Sequence, residues 1–366
     1  MRFFLVASLA FAAASALAKD SLDAYNVVWT SPSHDASGSM PMGNGATGLN
    51  VWVEEDGDLL FYVSRTDAWS EASRLLKLGR VRVKLEPNPF RKGAPFRQEL
   101  VLRDGAIVVD ASGMRLRIAF GAGDTVYVSG VSPTPVKATA SLETWRSERR
   151  QLLGQELASS WTMQGAPIPV WESADQLSTG LDTVHLSHQN ESTIVPFTLK
   201  HQGLESAANL AVDPIKGREF GLWLFGAGKG TYRAAAGSLV APTGKAFAFG
   251  VTAYSQQGKI RFVLPKRDYQ AAQAKTAAWW NEFWLRSFIF VDGDPGFAIP
   301  QNRMPIRIGF DLGRGEPIPR QYPGGSFPNG ASALRAVGAA RRGRGAAQRV
   351  EPANRQRIRL RGLDQA

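Results

Sequence analysis

Between Tyr25 and Leu264 the chain runs as short apolar or alternating segments separated by glycine-bearing turns, the pattern of an antiparallel all-β domain. Leu49–Val53, Leu59–Val63, Val81–Leu85, Ile107–Val109, Leu116–Phe120 and Val126–Val131 are the clearest runs. In Val81–Leu85 apolar residues alternate with Arg82 and Lys84, so one side of that strand meets a core and the other meets water. Asp56-Gly57 and Asp104-Gly105 lie between such runs and predict tight hairpins, because both residue types accept positive φ at little cost. One open sheet of this size would leave an apolar face and long edges exposed. The expected fold is therefore all-β, a large two-sheet antiparallel super-sandwich.

The period changes at Asp268–Ser287, where Tyr269, Ala272, Thr276, Trp279, Trp280, Phe283 and Trp284 recur every three or four residues. This predicts a helix of about five turns with an apolar stripe that must be buried against something. From Phe297 to Ala366 the chain has 13 arginines, no lysine and 4 acidic residues, net +9, so nearly all of the +11 formal charge sits there. The body is close to neutral. The tail reads as low-complexity and disordered, either a basic arm for an anionic polymer or, the preferred reading, out-of-frame translation.

At the other end, Arg2, the apolar run Phe3–Ala14 and Ala16-Leu17-Ala18 predict a cleavable signal peptide over 1–18 and a secreted or periplasmic protein. The expected organisation is 19–266 sandwich, 267–296 linker helix with a following strand or turn, and 297–366 tail. No membrane span is expected in the mature chain. The absence of cysteine excludes disulfides, thiol nucleophiles and thiolate metal sites, and four histidines make a His-rich cage improbable. No cofactor is expected.

Two constellations carry candidate chemistry. Gly43, Asn44 and Gly45 lie in a glycine-rich stretch around Pro41, where the backbone can approach a ligand closely and Asn44 offers donor and acceptor. A plain β-turn explains the same residues. Asp67, Trp69 and Glu71 combine an indole for an apolar sugar face with carboxylates for hydroxyls, or form an acid/base pair of the glycosidase kind. The simpler reading is a core-docked tryptophan between exposed carboxylates. Trp171 is a further aromatic platform. His185 and His188, three apart, are a weak metal pair, and Asn190-Glu191-Ser192 is a glycosylation sequon to which no function is assigned. Phosphate-loop, nucleophile-elbow and zinc-protease motifs are absent.

Ser39–Gly45, Asn50–Glu54, Asp67–Glu71, Leu76–Arg82 and Trp279–Trp284, in that order, resemble the bacterial family named domain of unknown function 5703, which is similar to the N-terminal β-sandwich of family 95 glycoside hydrolases. The resemblance covers roughly Tyr25 to Asp294. It implies a sandwich followed by a helical linker and then an (α/α)6 barrel that supplies the catalytic acid and base. No barrel-length helical region follows here, so no catalytic residues are carried over, and Trp279, Trp280 and Trp284 become the expected contact for a missing C-terminal domain. The expected function is the carbohydrate-associated N-terminal module of an exported glycoside hydrolase-like protein. The alternatives are a self-sufficient glycosidase using Asp67 and Glu71, a lectin-like binding protein and an anionic-polymer binder acting through the tail. Carbohydrate is the expected partner and nucleic acid is not.

Overall fold

The computed structural model describes residues 22–121, 123–159, 169–191, 193–210, 212–258, 265 and 268–286. The expected signal peptide and the arginine-rich tail lie outside the described residues. In chain order the first half holds β1 (Val27–Trp29), β2 (Met40–Gly43), β3 (Thr47–Val53), β4 (Leu59–Trp69), β5 (Leu75–Glu86), β6 (Arg97–Val101), β7 (Ala106–Ala111), β8 (Met114–Phe120) and β9 (Thr125–Glu143). Then come β10 (Arg150–Gln151), α1 (Gly154–Ser159), β11 (Trp171–Glu172), β12 (Gln176–Thr179), β13 (Thr183–Gln189), α2 (Val195–His201), β14 (Arg218–Gly226), β15 (Arg233–Ala235), β16 (Ser238–Val240), β17 (Gly244–Gln257) and α3 (Tyr269–Arg286).

Fifteen of these strands form one antiparallel hydrogen-bonded system folded into two layers. One layer runs β1-β6-β7-β8-β9-β17-β14-β13-β12, and the other runs β2-β3-β4-β5-β9-β16-β15. The expected two-sheet sandwich is the observed fold, and β9 belongs to both sheets. Thr125–Val131 pairs with β8 and β17, whereas Lys137–Glu143 pairs with β5. Between them Pro133 and Pro135, which carry no N–H to leave unpaired, mark the corner where the strand changes sheets. Alternating residues from both sheets, among them Val51, Phe61, Val81, Val128, Leu222 and Val251, make one continuous core. Burying each large side chain contributes about 1.5–3 kcal/mol.

Both Asp-Gly pairs form hairpin tips as expected, joining β3 to β4 and β6 to β7, with Gly57 and Gly105 at φ of +91° and +57°. The glycine-rich stretch differs from the expected single turn. Met40–Gly43 is a strand, paired with β3 from Met40↔Val51 to Gly43↔Gly48. Pro41 fits there because β2 is an edge strand with β3 as its partner.

Helix α3 occupies the expected position, and two of its tryptophans, Trp280 and Trp284, contact the sandwich itself. Trp280 lies against Gly105 so closely that a Cβ there would stand 2.1 Å from its Nε1. Trp284 donates from Nε1 to the Leu102 carbonyl at 2.7 Å. Ala272 meets the β8–β9 turn at Gly121, and Tyr269 meets Tyr127. Among the described residues, no helix is long and apolar enough to cross a membrane.

Strand β13 holds the charge network described below, and its spacing to β14 depends on Gly221. A Cβ on Gly221 would stand 2.0 Å from the Leu186 carbonyl oxygen, so any side chain must push the two strands apart. Gly221→Ala is therefore expected to lower stability by about 3 kcal/mol or more, as severe overpacking does, read from the urea midpoint of the purified protein. An unchanged midpoint would contradict this account of the sheet.

Candidate functional site

The turn from β2 to β3 is built around Asn44. Its Oδ1 accepts from the Ala46 and Thr47 amides at 3.1 and 2.7 Å, which shapes the turn, and Gly45 follows at φ +96°. Its Nδ2 donates to the Gly123 carbonyl at 3.0 Å and to Asp124 Oδ1 at 3.2 Å, tying the turn to the β8–β9 connection. Thr47 Oγ1 donates to the same Asp124 oxygen. The amide of Asn44 is thus fully engaged within the protein, and its part in the site is to hold the turn in place.

Arg65, on β4, joins this turn to the second constellation. One guanidinium nitrogen lies 2.5 Å from Asp124 Oδ2, while Nε and the other terminal nitrogen grip both oxygens of Asp67 at 2.9 and 3.2 Å. Such a planar fork fixes a carboxylate's orientation better than a single bond does. Asp67 remains 42% exposed. Two residues on, Trp69 is 40% exposed and its indole N–H is fixed to the Thr66 carbonyl, whose own residue donates to Ala46. Gly43, Asn44, Gly45, Asp67 and Trp69 therefore come together at one end of the sandwich. Of the expected core-docked tryptophan between exposed carboxylates, Asp67 is exposed as expected, whereas Trp69 lies outside and Glu71 inside.

Glu71 is 2% exposed and lies among charges from four separate stretches of chain. Its Oε1 accepts from the Ser173 amide at 2.6 Å and its Oε2 receives His188 Nε2 at 2.9 Å. The other imidazole nitrogen, Nδ1, meets Asp175 Oδ1 at 2.8 Å. Arg146 Nε donates to that same oxygen, Thr144 Oγ1 donates to the second oxygen of Asp175, and the two terminal nitrogens of Arg146 cap the Lys77 and Leu78 carbonyls. Burial disfavours the charged imidazole, but the hydrogen bonds it donates to both carboxylates, and their negative charge, overcome it and push His188 up to about 9. Burial likewise opposes ionised Glu71, and His188 still holds it below the usual carboxylate range. Sealed in this way, Glu71 cannot touch a bound sugar, and with Asp67 at the surface the two do not form a shared acid/base pair.

His185 and His188 do not pair either. On β13 a spacing of three sends them to opposite faces, so His188 stacks on buried Phe220 while His185 stacks on Trp223 at 3.9 Å. Among the described residues, no cluster of His, Asp or Glu has a metal-binding arrangement. Asn190, in the sequon, is 2% exposed, and its Nδ2 donates to the Trp69 and Ile215 carbonyls. In the folded protein it is closed to a modifying enzyme. Trp171 is 40% exposed, with the Arg149 guanidinium 4.3 Å from its ring centroid.

Sequence reading missed Arg65, Asp124, Arg146, Asp175 and the role of His188. Arg65 stands two residues before Asp67, but Asp124, Arg146 and Asp175 carry no local signal, and the pairing of His188 with Glu71 spans 117 residues.

The N-terminal model of the family described as Domain of unknown function (DUF5703) matches residues 28–271. The chain belongs to this family. The DUF5703 match opens in β1 and closes inside α3, so it takes in the whole sandwich with Asn44, Asp67, Trp69 and the buried network. A comparison with curated proteins found no match.

Removing one member of the network leaves its partners buried and unpaired, so in this DUF5703 protein His188→Ala is expected to cost about 3–5 kcal/mol. The pH dependence follows from the two directions. The His188 contribution is complete below its ordinary 6.5 and is lost as pH rises through about 9. That of Glu71 is complete above its ordinary 4.5 and is lost as pH falls through its lowered value. Urea midpoints measured across pH are expected to decline on the alkaline side in the parent protein, and that His188 component is expected to vanish in His188→Ala.

Proposed function

We propose that this chain is the non-catalytic, carbohydrate-binding N-terminal module of an exported glycoside hydrolase-like protein. Its sugar-facing surface is the sandwich end formed by Gly43–Gly45, Asp67 and Trp69. The observation that carries the reading is the division between the two carboxylates beside Trp69. Asp67 stays at the surface, oriented by Arg65 next to an exposed indole, whereas Glu71 is consumed inside by His188 and Ser173.

An exposed indole with a fixed carboxylate beside it offers an apolar plane for the C–H face of a pyranose and acceptors for its hydroxyls. A second, suitably spaced carboxylate, which general acid and base chemistry on a glycoside would require, is not available from Glu71. The resemblance of the ordered motifs to the sandwich of family 95 enzymes favours carbohydrate over other ligands with the same chemistry. The start of α3 touches the β8–β9 turn whose Gly123 carbonyl and Asp124 carboxylate hold Asn44, so this helix begins beside the proposed surface.

The test is intrinsic fluorescence of the purified protein titrated with neutral oligosaccharides of varied linkage, alongside a reducing-sugar assay. Quenching by at least one oligosaccharide is expected, weakened about tenfold in Trp69→Ala at an unchanged melting temperature, with no sugar released. Sugar release would overturn the non-catalytic assignment. Quenching that survives Trp69→Ala unchanged would remove the site.

A further inference from the structure

A second aromatic cluster stands on the outer face of the smaller sheet. Trp52 on β3 and Tyr62 on β4 lie with ring centroids 5.0 Å apart, and Trp145, just beyond β9, meets Tyr62 edge-on at 5.8 Å. Trp52 is buried and Tyr62 half-buried, but Trp145 is 45% exposed. The buried Arg146 guanidinium lies 5.3 Å from the Trp145 ring centroid, so Tyr62 and Arg146 together hold the orientation of an indole that stays half exposed.

The flank of this cluster is basic. Leu78 and Gly79 are consecutive buried residues where the β4–β5 register shifts, and this irregularity keeps Lys77 outward along with Arg80, Arg82 and Lys84. Arg80 and Arg82 both donate to Glu143, and Arg82 also reaches Asp58 and Glu54, so those two guanidiniums are already neutralised by carboxylates. Lys77 differs. Its ammonium lies 4.2 Å from the Tyr62 ring centroid, and it forms no ion pair among the described residues. The cluster therefore presents a half-exposed indole with the Lys77 ammonium beside it, while Lys84 lies further along β5.

We infer that Trp145, Tyr62 and Lys77 form a second binding surface, one for a carboxylated saccharide of the uronate type. The indole of Trp145 takes the apolar face of the sugar ring and the Lys77 ammonium takes its carboxylate. The one ammonium at the aromatic cluster, that of Lys77, suits one carboxylate at a time. A nucleic-acid backbone draws its affinity from several phosphate contacts together, which this face does not supply. The inference rests on the carbohydrate reading above but concerns a different surface and a charged sugar class.

The experiment is calorimetric titration of the purified protein with oligogalacturonate, with the same oligosaccharide reduced at its carboxyl groups, and with oligothymidylate. The acid form is expected to bind about tenfold more tightly than the reduced form, the size of one charge-assisted hydrogen bond. Lys77→Gln is expected to bring the two forms to equal affinity, Lys77→Arg to keep the preference, and Trp145→Ala to weaken both. All three substitutions lie outside the core, so the melting temperature is expected to hold. Equal binding of the two forms by the parent protein overturns the inference, as does a preference that survives Lys77→Gln or tighter binding of oligothymidylate. If neutral sugars still quench through Trp69 in that event, the function proposed above stands. If no saccharide binds at all, both fall.

Discussion

The buried imidazole of His188, held between Glu71 and Asp175, is the interaction around which one end of the sandwich is assembled. Four ionisable side chains with almost no contact with water are costly to desolvate, and the cost is offset only because nearly every lone pair and N–H finds a partner. Those partners come from the β4–β5 turn, the segment after β9, the segment before β12, and β13. Packing alone tolerates many arrangements of apolar residues, but a charge network of this kind tolerates very few. The placement of Trp69 follows from it, since Glu71 lies two residues beyond the indole and Asn190, two residues past His188, holds the Trp69 carbonyl.

Much of the fold was legible in the sequence because its signals are local. Val81–Leu85 shows its two faces by alternation, Asp56-Gly57 and Asp104-Gly105 announce hairpins through their own φ preferences, and the stripe through Tyr269, Trp280 and Phe283 fixes a helix to within a residue or two at each end. The stretches that escaped have features that locally argue against strands. Pro133 and Pro135 hide the continuation of β9, and Pro41 among glycines hides β2, because proline is compatible with a sheet only at an edge or a corner.

The candidate site was legible in part for the opposite reason. Trp69, Asp67 and the Gly43–Gly45 turn could be named from composition and spacing, yet which of two nearby carboxylates faces water depends on His188, 117 residues away. Asn44 looked like a ligand-binding amide, but its hydrogen bonds go to its own turn and to Gly123 and Asp124. The cluster of Trp52, Tyr62 and Trp145 likewise becomes visible only when three strand registers are superposed.

Because β9 serves first one sheet and then the other, the sandwich has no seam between its layers. A protein made of two sheets that merely face each other could be cut in a connecting loop into two halves, each retaining its own ladder. Here the chain also passes from one layer to the other between β1 and β2, β5 and β6, β14 and β15, and β16 and β17, so no single cut yields two halves, and a break in Ser132–Pro135 would divide a strand that both sheets share. The two layers must then be inherited, exchanged or lost together, and a recombination event that joins this sandwich to a different neighbour can act at its ends but not within it.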